Sequence, residues 1–329
     1  MTKFKTTLYT AMALVLALTM SACSSSVSQT KPESNAAPSS ESGNSAVSSD
    51  NDSVGGIAVT DMHDREIALD KHAERVVVLT AGECEILYAI GAGDTVIARG
   101  EYCDYPAKAL EVASVESGAQ TNIEEIVATQ PDIVIMSSMA QTLEQVTQLE
   151  ELGIAVAVTK SDSIEDIYKS IALMGAVTGC EESAEDLIAD MKDSFERIKA
   201  NADASSDTQQ KTVYFEVFPL EQGLWAAGKD TFMDEIGQLL NLKNIFGDID
   251  GWGEISQEQV IQRDPEYIVT SAMIFDEADP VQEIISRKGW EVVSAVENGN
   301  VFHTNADEIT RPGPRLASAA EMLYEEIYG

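Results

Sequence analysis

From Ile57 onward, short apolar runs alternate with segments of helical period along most of the chain. Ile57-Ala58-Val59 and Glu66-Ile67-Ala68-Leu69 flank the turn-forming Asp61-Met62-His63-Asp64, which predicts a small hairpin. Arg75-Val76-Val77-Val78-Leu79 is the unbroken apolar run expected of a strand buried on both faces of a parallel sheet. Helical spacing follows from Glu83 to Ile90 and stops at Gly91. Strands at Val96-Ile97-Ala98, Ile133 to Met136 and Ile154 to Val158, with helices near Ile123 to Thr129 and Thr142 to Leu152, complete a first α/β lobe over residues 57–160.

From Ser163 to about Ala200 the helical period is interrupted only at Gly179-Cys180, so a long connecting helix is expected within residues 161–210. A second alternation then occupies residues 211–329: a strand at Val213 to Val217, helices near Phe232 to Leu240 and Ser256 to Gln262, strands at Tyr267 to Val269 and Asn300 to His303, and a terminal helix from about Pro314 to Tyr328. The fold class is therefore α/β, with two Rossmann-like, doubly wound lobes joined by a single long spine helix.

Lys3 and Lys5, an apolar run from Leu8 to Met20 and small residues ending at Cys23 have the layout of a secretory leader over residues 1–23. Met20-Ser21-Ala22-Cys23 resembles the lipobox of bacterial lipoproteins, which makes Cys23 the candidate lipidated residue and the membrane a partner through that anchor. The Ser-rich segment 24–56 reads as a flexible tether. Cys84, Cys103 and Cys180 are then odd in number, so they give no closed disulfide framework. Buried free thiols are one reading of them, a Cys84 to Cys103 bridge the other.

The 329 residues include 56 acidic and 21 basic ones, for a net charge of -35. A field of that sign argues against a nucleic-acid partner. It would also repel an anionic ligand unless the scarce arginines gathered where that ligand binds.

The most informative pattern is a repeat. Asn122-Ile123-Glu124-Glu125-Ile126-Val127 precedes Pro131-Asp132-Ile133-Val134, and Ser256-Gln257-Glu258-Gln259-Val260-Ile261 precedes Pro265-Glu266-Tyr267-Ile268. Asn122 with Glu125, and Ser256 with Gln259, have capping-box spacing, which accounts for Glu125 and Gln259. Capping does not account for Glu124 and Glu258, which stand one position earlier and should face solvent. One outward carboxylate per lobe suits docking on a two-subunit partner that offers arginine pockets.

With Asp104-Tyr105-Pro106, Gly228-Lys229 leading into Thr231-Phe232, and Arg311-Pro312-Gly313-Pro314-Arg315 added, the chain from Ile57 almost to its end resembles the periplasmic binding protein family for cobalamin, haem and ferric siderophores. The resemblance implies an extracytoplasmic binding protein that delivers a small-molecule metal chelate to the permease dimer of an ABC importer, docking through Glu124 and Glu258. It implies no catalytic residues and no cofactor other than the transported chelate, a ferric siderophore or a cobalamin-type corrinoid. A monomer is expected. A haem carrier and a non-transporting surface sensor or adhesin are the alternatives.

In doubly wound lobes ligands lie beyond the carboxyl ends of the strands. That rule selects the loops at 80–83, 99–105, 137–139, 219–225, 252 and 305–311. Within them Tyr102, Trp225 and Trp252 are candidates to stack on a chelate, and Arg99 and Arg311 are candidates to pair with its anionic groups. Tyr105 and Arg315 read as structural. His63, His72 and His303 lack metal-site spacing, so no resident metal is expected. No G-x-S-x-G elbow, Walker loop or G-x-G-x-x-G motif follows a strand, and catalysis lacks its usual tools.

Overall fold

The computed structural model describes residues 56–205, 209–272 and 279–329. The leader, Cys23 and all of the tether but Gly56 lie outside the described residues. The first elements are the antiparallel pair β1 (Ile57–Thr60) and β2 (Glu66–Leu69), closed by a turn in which the Asp61 carboxylate accepts the N–H groups of His63, Arg65 and Val158. Then come β3 (Val76–Val78), α1 (Ala81–Ala89), β4 (Val96–Gly100), β5 (Ser114–Val115), α2 (Ile123–Ala128), β6 (Ile133–Ser137), α3 (Leu143–Glu151) and β7 (Ala155–Thr159).

β3 to β7 form one parallel sheet in the order β5-β4-β3-β6-β7. Burial on both faces explains the apolar run of β3. Val76 and Val78 feed one core cluster while Val77, pointing the other way, feeds another. The strand order reverses between β3 and β6, and a ligand crevice is expected there.

The expected long connecting helix is α5 (Glu181–Ser205), and the interruption at Gly179-Cys180 separates it from the shorter α4 (Ile164–Thr178) that precedes it. Gly179 ends α4 in the left-handed conformation, φ 73°, where a Cβ would also lie 2.9 Å from the His72 ring. Gly175 lets the two helices meet, since a Cβ there would lie 2.7 Å from that of Ala184. α5 spans about 37 Å for its 25 residues. Its buried residues Ala184, Met191, Phe195, Ile198 and Ala202 recur at helical spacing and form one stripe against the core.

β8 (Lys211–Phe218), β9 (Trp225–Ala227), α6 (Phe232–Leu239), β10 (Leu242–Asn244), β11 (Trp252–Glu254), α7 (Gln257–Arg263), β12 (Tyr267–Thr270), α8 (Pro280–Ile285), α9 (Ser294–Glu297), β13 (Val301–His303), α10 (Ala306–Ile309) and α11 (Leu316–Tyr328) follow. Their sheet runs β11-β9-β8-β12-β13, with β10 also on β8. Here β9 pairs antiparallel with β8 and β11, so Trp225 and Trp252, expected in loops, stand on short strands instead, Trp252 on the edge strand β11 and Trp225 on β9 beside it. The alternation missed these strands because three residues carry no readable period.

The start of the connector is bonded to the second lobe, and the lobes also meet directly. The Phe232 N–H donates to the Asp162 carbonyl at 2.7 Å, and the Ile164 N–H donates to the Glu235 carboxylate at 2.6 Å. On another side Gly82 packs so closely on the 312–313 backbone that a Cβ would lie 2.6 Å from the Pro312 oxygen. One core cluster contains Ile133 of the first sheet, Phe195 of α5 and Phe215 of the second sheet.

Candidate functional site

Both sheets turn the ends of their strands toward a cavity of about 490 Å³. From the first lobe Met139, just past β6, lines it. From the second come Val217 and Phe218 at the end of β8, Pro219 and Gln222 after it, Ser271 after β12, and Ala306 and Thr310. Trp225, Trp252, Phe232 and Met233 complete the wall. Trp252 pairs with Ala227 and Glu254 with Trp225, so alternation along the strands puts both indoles on one face of the β9/β11 edge.

Each indole is held edge-to-face by a phenyl ring: Trp252 by Phe232, centroids 5.3 Å apart, and Trp225 by Phe218 at 6.4 Å. Rings so fixed offer area with little entropy left to lose. The Trp252 indole N–H is buried without a hydrogen-bond partner, an orphan donor in the wall. Among the described residues no Lys, Arg, Asp or Glu side chain lines the cavity.

The other sequence candidates lie elsewhere. Arg99 is buried, and its guanidinium donates to the carbonyls of Ala109 at 2.9 Å, Gly100 at 3.1 Å and Glu101 at 3.4 Å. It is therefore a loop-holding residue, not the ligand contact expected of it, because nearby unpaired carbonyls claim the donors first. Tyr102 is exposed and outside the cavity wall.

Arg311 follows the lining residue Thr310 but is saturated, its guanidinium shared by Asp104, Asp307 at 2.7 Å and Glu85 at 3.5 Å. The Arg311 guanidinium in turn holds the Asp104 carboxyl below its usual range. Arg315 grips Glu85 at 2.6 Å and lies 4.1 Å above the Tyr105 ring, so both are structural, as expected. Since Asp104 and Glu85 belong to the first lobe and both arginines to the segment before α11, this network is a further interlobe tie.

Phe232 and Met233 went unnoticed in the sequence because the apolar start of a helix reads as core. Behind the cavity the carboxylate of Glu216, in β8, is fully buried and takes two hydrogen bonds from Arg287, at 2.6 and 3.1 Å. Arg287 also grips Glu283 and lies 4.5 Å above the Trp290 ring. Burial pushes the Glu216 carboxyl up, against the pull of Arg287. The Glu216 carbonyl accepts the N–H of Ser271, and the next two residues of its strand, Val217 and Phe218, are wall residues. The buried ion pair thus supports the cavity's floor.

Glu124 and Glu258 are each the second residue of their helices, α2 and α7, and both are exposed. Ser256 and Gln259 make the complete capping box. In α2 the Asn122 side chain accepts from the Glu125 N–H at 3.2 Å, but the Glu125 carboxylate accepts from Glu116 instead of Asn122, whose own N–H goes to the Glu116 carbonyl. Neither capping arrangement uses Glu124 or Glu258.

Two Rossmann-like lobes, a helical connector and an apolar cavity between strand ends define a two-lobed solute-binding protein. The chain belongs to the periplasmic binding protein family, whose model it matches over residues 76–308. It is 31% identical over 275 residues to the ABC transporter substrate-binding lipoprotein YvrC of Bacillus subtilis, across 83% of this chain and 85% of that protein. It is 27% identical over 255 residues to the vitamin B12-binding protein of Vibrio cholerae, across 76% and 88%. The crystal structure of a periplasmic solute-binding protein from Staphylococcus epidermidis superposes with a TM-score of 0.68 at 26% identity, over 79% of this chain and 100% of that one.

Proteins of this family bind solutes for ABC transporters and are not enzymes. This chain is accordingly an extracytoplasmic binding protein that works with a permease and takes a small-molecule ligand. Among the described residues no helix is long and apolar enough to cross a membrane.

Proposed function

We propose that this protein, anchored by lipid at Cys23, captures an uncharged metal chelate and delivers it to a permease dimer through Glu124 and Glu258. The ligand is a cobalamin-type corrinoid or a charge-neutral ferric siderophore such as a hydroxamate. The observation that carries this reading is an aromatic cavity to which no Lys or Arg side chain contributes among the described residues. In a chain of net charge -35 an anionic chelate needs arginines at its site, and Arg99, Arg311 and Arg315 are all committed to protein oxygens. Gln222, Ser271, Thr310 and the orphan Trp252 N–H suit amide and hydroxyl groups around a neutral chelate. The name of the Vibrio cholerae relative and the lipoprotein name of the Bacillus subtilis relative support the same reading.

Titration of tryptophan fluorescence tests it, because two of the chain's three tryptophans are in the wall and a coloured chelate quenches them. Cyanocobalamin or a ferric hydroxamate is expected to bind roughly 30- to 100-fold more tightly than haemin or a ferric tris-catecholate. That ratio is what an unpaired anionic group desolvated against an apolar wall costs, about 2–3 kcal/mol. Tighter binding of haemin would favour the haem-carrier reading and overturn this one.

A further inference from the structure

We propose that Gln222 sets the ligand selectivity of the cavity: its side-chain amide pairs, donor to acceptor and acceptor to donor, with an amide on the edge of a neutral chelate, and its lack of charge leaves an anionic chelate unanswered. The polar groups of the wall differ in what they have left to offer a ligand. The Ser271 hydroxyl donates to the Glu216 carbonyl at 3.3 Å and the Thr310 hydroxyl to the Ala306 carbonyl at 2.7 Å, so both have committed their protons and can only accept. The indoles of Trp225 and Trp252 carry one N–H each and can only donate. Gln222 is the wall residue that does both. It is exposed, and among the described residues its side chain makes no hydrogen bond within the protein.

The chain around Gln222 places that amide at the lip. The Gln222 N–H donates to the Pro219 carbonyl at 3.0 Å, and the Gly223 N–H donates to the Leu220 carbonyl at 3.1 Å. Gly223 then turns the backbone at φ 85°, in the left-handed region, and β9 begins at Trp225. Phe218, on the other side of this turn, stands edge-to-face on Trp225. The backbone of Gln222 is therefore fixed beside the Trp225–Phe218 pair while its side chain is free. A chelate whose flat apolar part lies on the indoles brings its edge to this amide. An amide there is answered in both directions, N–H to carbonyl and carbonyl to N–H. A carboxylate or catecholate oxygen there meets a neutral donor and no counter-charge, in a chain of net charge -35. The inference rests on the neutral-chelate reading and names the residue that enforces it.

Titration of the full-length protein and two variants by tryptophan fluorescence tests it. The probes are cyanocobalamin, whose edge carries primary amides, a ferric trihydroxamate joined by secondary amides, and a ferric tris-catecholate. Gln222→Met keeps the length of the side chain and removes both bonding groups. It is expected to weaken the neutral chelate that the unmodified protein binds by roughly tenfold, the worth of one to two net hydrogen bonds. Whether the loss falls on cyanocobalamin or on the trihydroxamate tells which of them supplies the amide. Gln222→Arg adds the missing cation and is expected to tighten the tris-catecholate about tenfold at low salt, a gain that high salt removes and that a misfolded protein would not show. A loss of less than roughly threefold with Gln222→Met, or no gain with Gln222→Arg, overturns the proposal and leaves the neutral-chelate reading standing. Failure of the unmodified protein to bind either neutral chelate, or its preference for the tris-catecholate, overturns both together.

Discussion

Replacing Glu124 and Glu258 together with alanine is expected to abolish uptake of the chelate by intact cells while leaving its affinity for the purified protein within about twofold. Both carboxylates are exposed at the second position of a short helix, and neither cap depends on them. Their removal should cost the fold little and the cavity nothing. Against a permease they would be desolvated and paired, and truncating one member of such a pair weakens a complex by roughly 30-fold or more. Each single variant should therefore show an intermediate defect and the double variant none of the transport. A double variant that transports normally would remove these residues from the docking role, whereas binding without uptake in the unmodified protein would favour the sensor or adhesin.

Arg287→Ala should produce the largest loss of stability, about 3–5 kcal/mol by urea denaturation, because it leaves the buried Glu216 carboxylate without its counter-charge. The same substitution should weaken ligand binding, since the chain from Glu216 to Phe218 forms one side of the cavity. A Glu216→Gln, Arg287→Met double variant removes both charges and is expected to recover most of that stability. If the single variant loses less than about 1 kcal/mol, the pair is not what supports the floor.

The lobes, both capping residues and the register of Glu124 and Glu258 were legible because they depend on period, turn chemistry and a fixed offset to Pro131 and Pro265, all local properties. Trp225 and Trp252 were found for the right region but the wrong element, since β9 and β11 are too short to show alternation. The partners of the arginines were not legible because a guanidinium goes to whichever acceptors tertiary structure brings near. For Arg99 these are loop carbonyls, and for Arg311 they include Asp104, which is 207 residues away along the chain. Glu216 and Arg287 form their pair across 71 residues and left no local signal.

The central claim, that an uncharged metal chelate occupies the aromatic cavity, is tested most directly by the visible absorption spectrum of the protein purified from its own cells, with mass spectrometry of what it releases on denaturation. The account predicts the absorption of a corrinoid or of a ferric hydroxamate and the release of a neutral metal complex. A haem Soret band, or a released ferric catecholate, would contradict it.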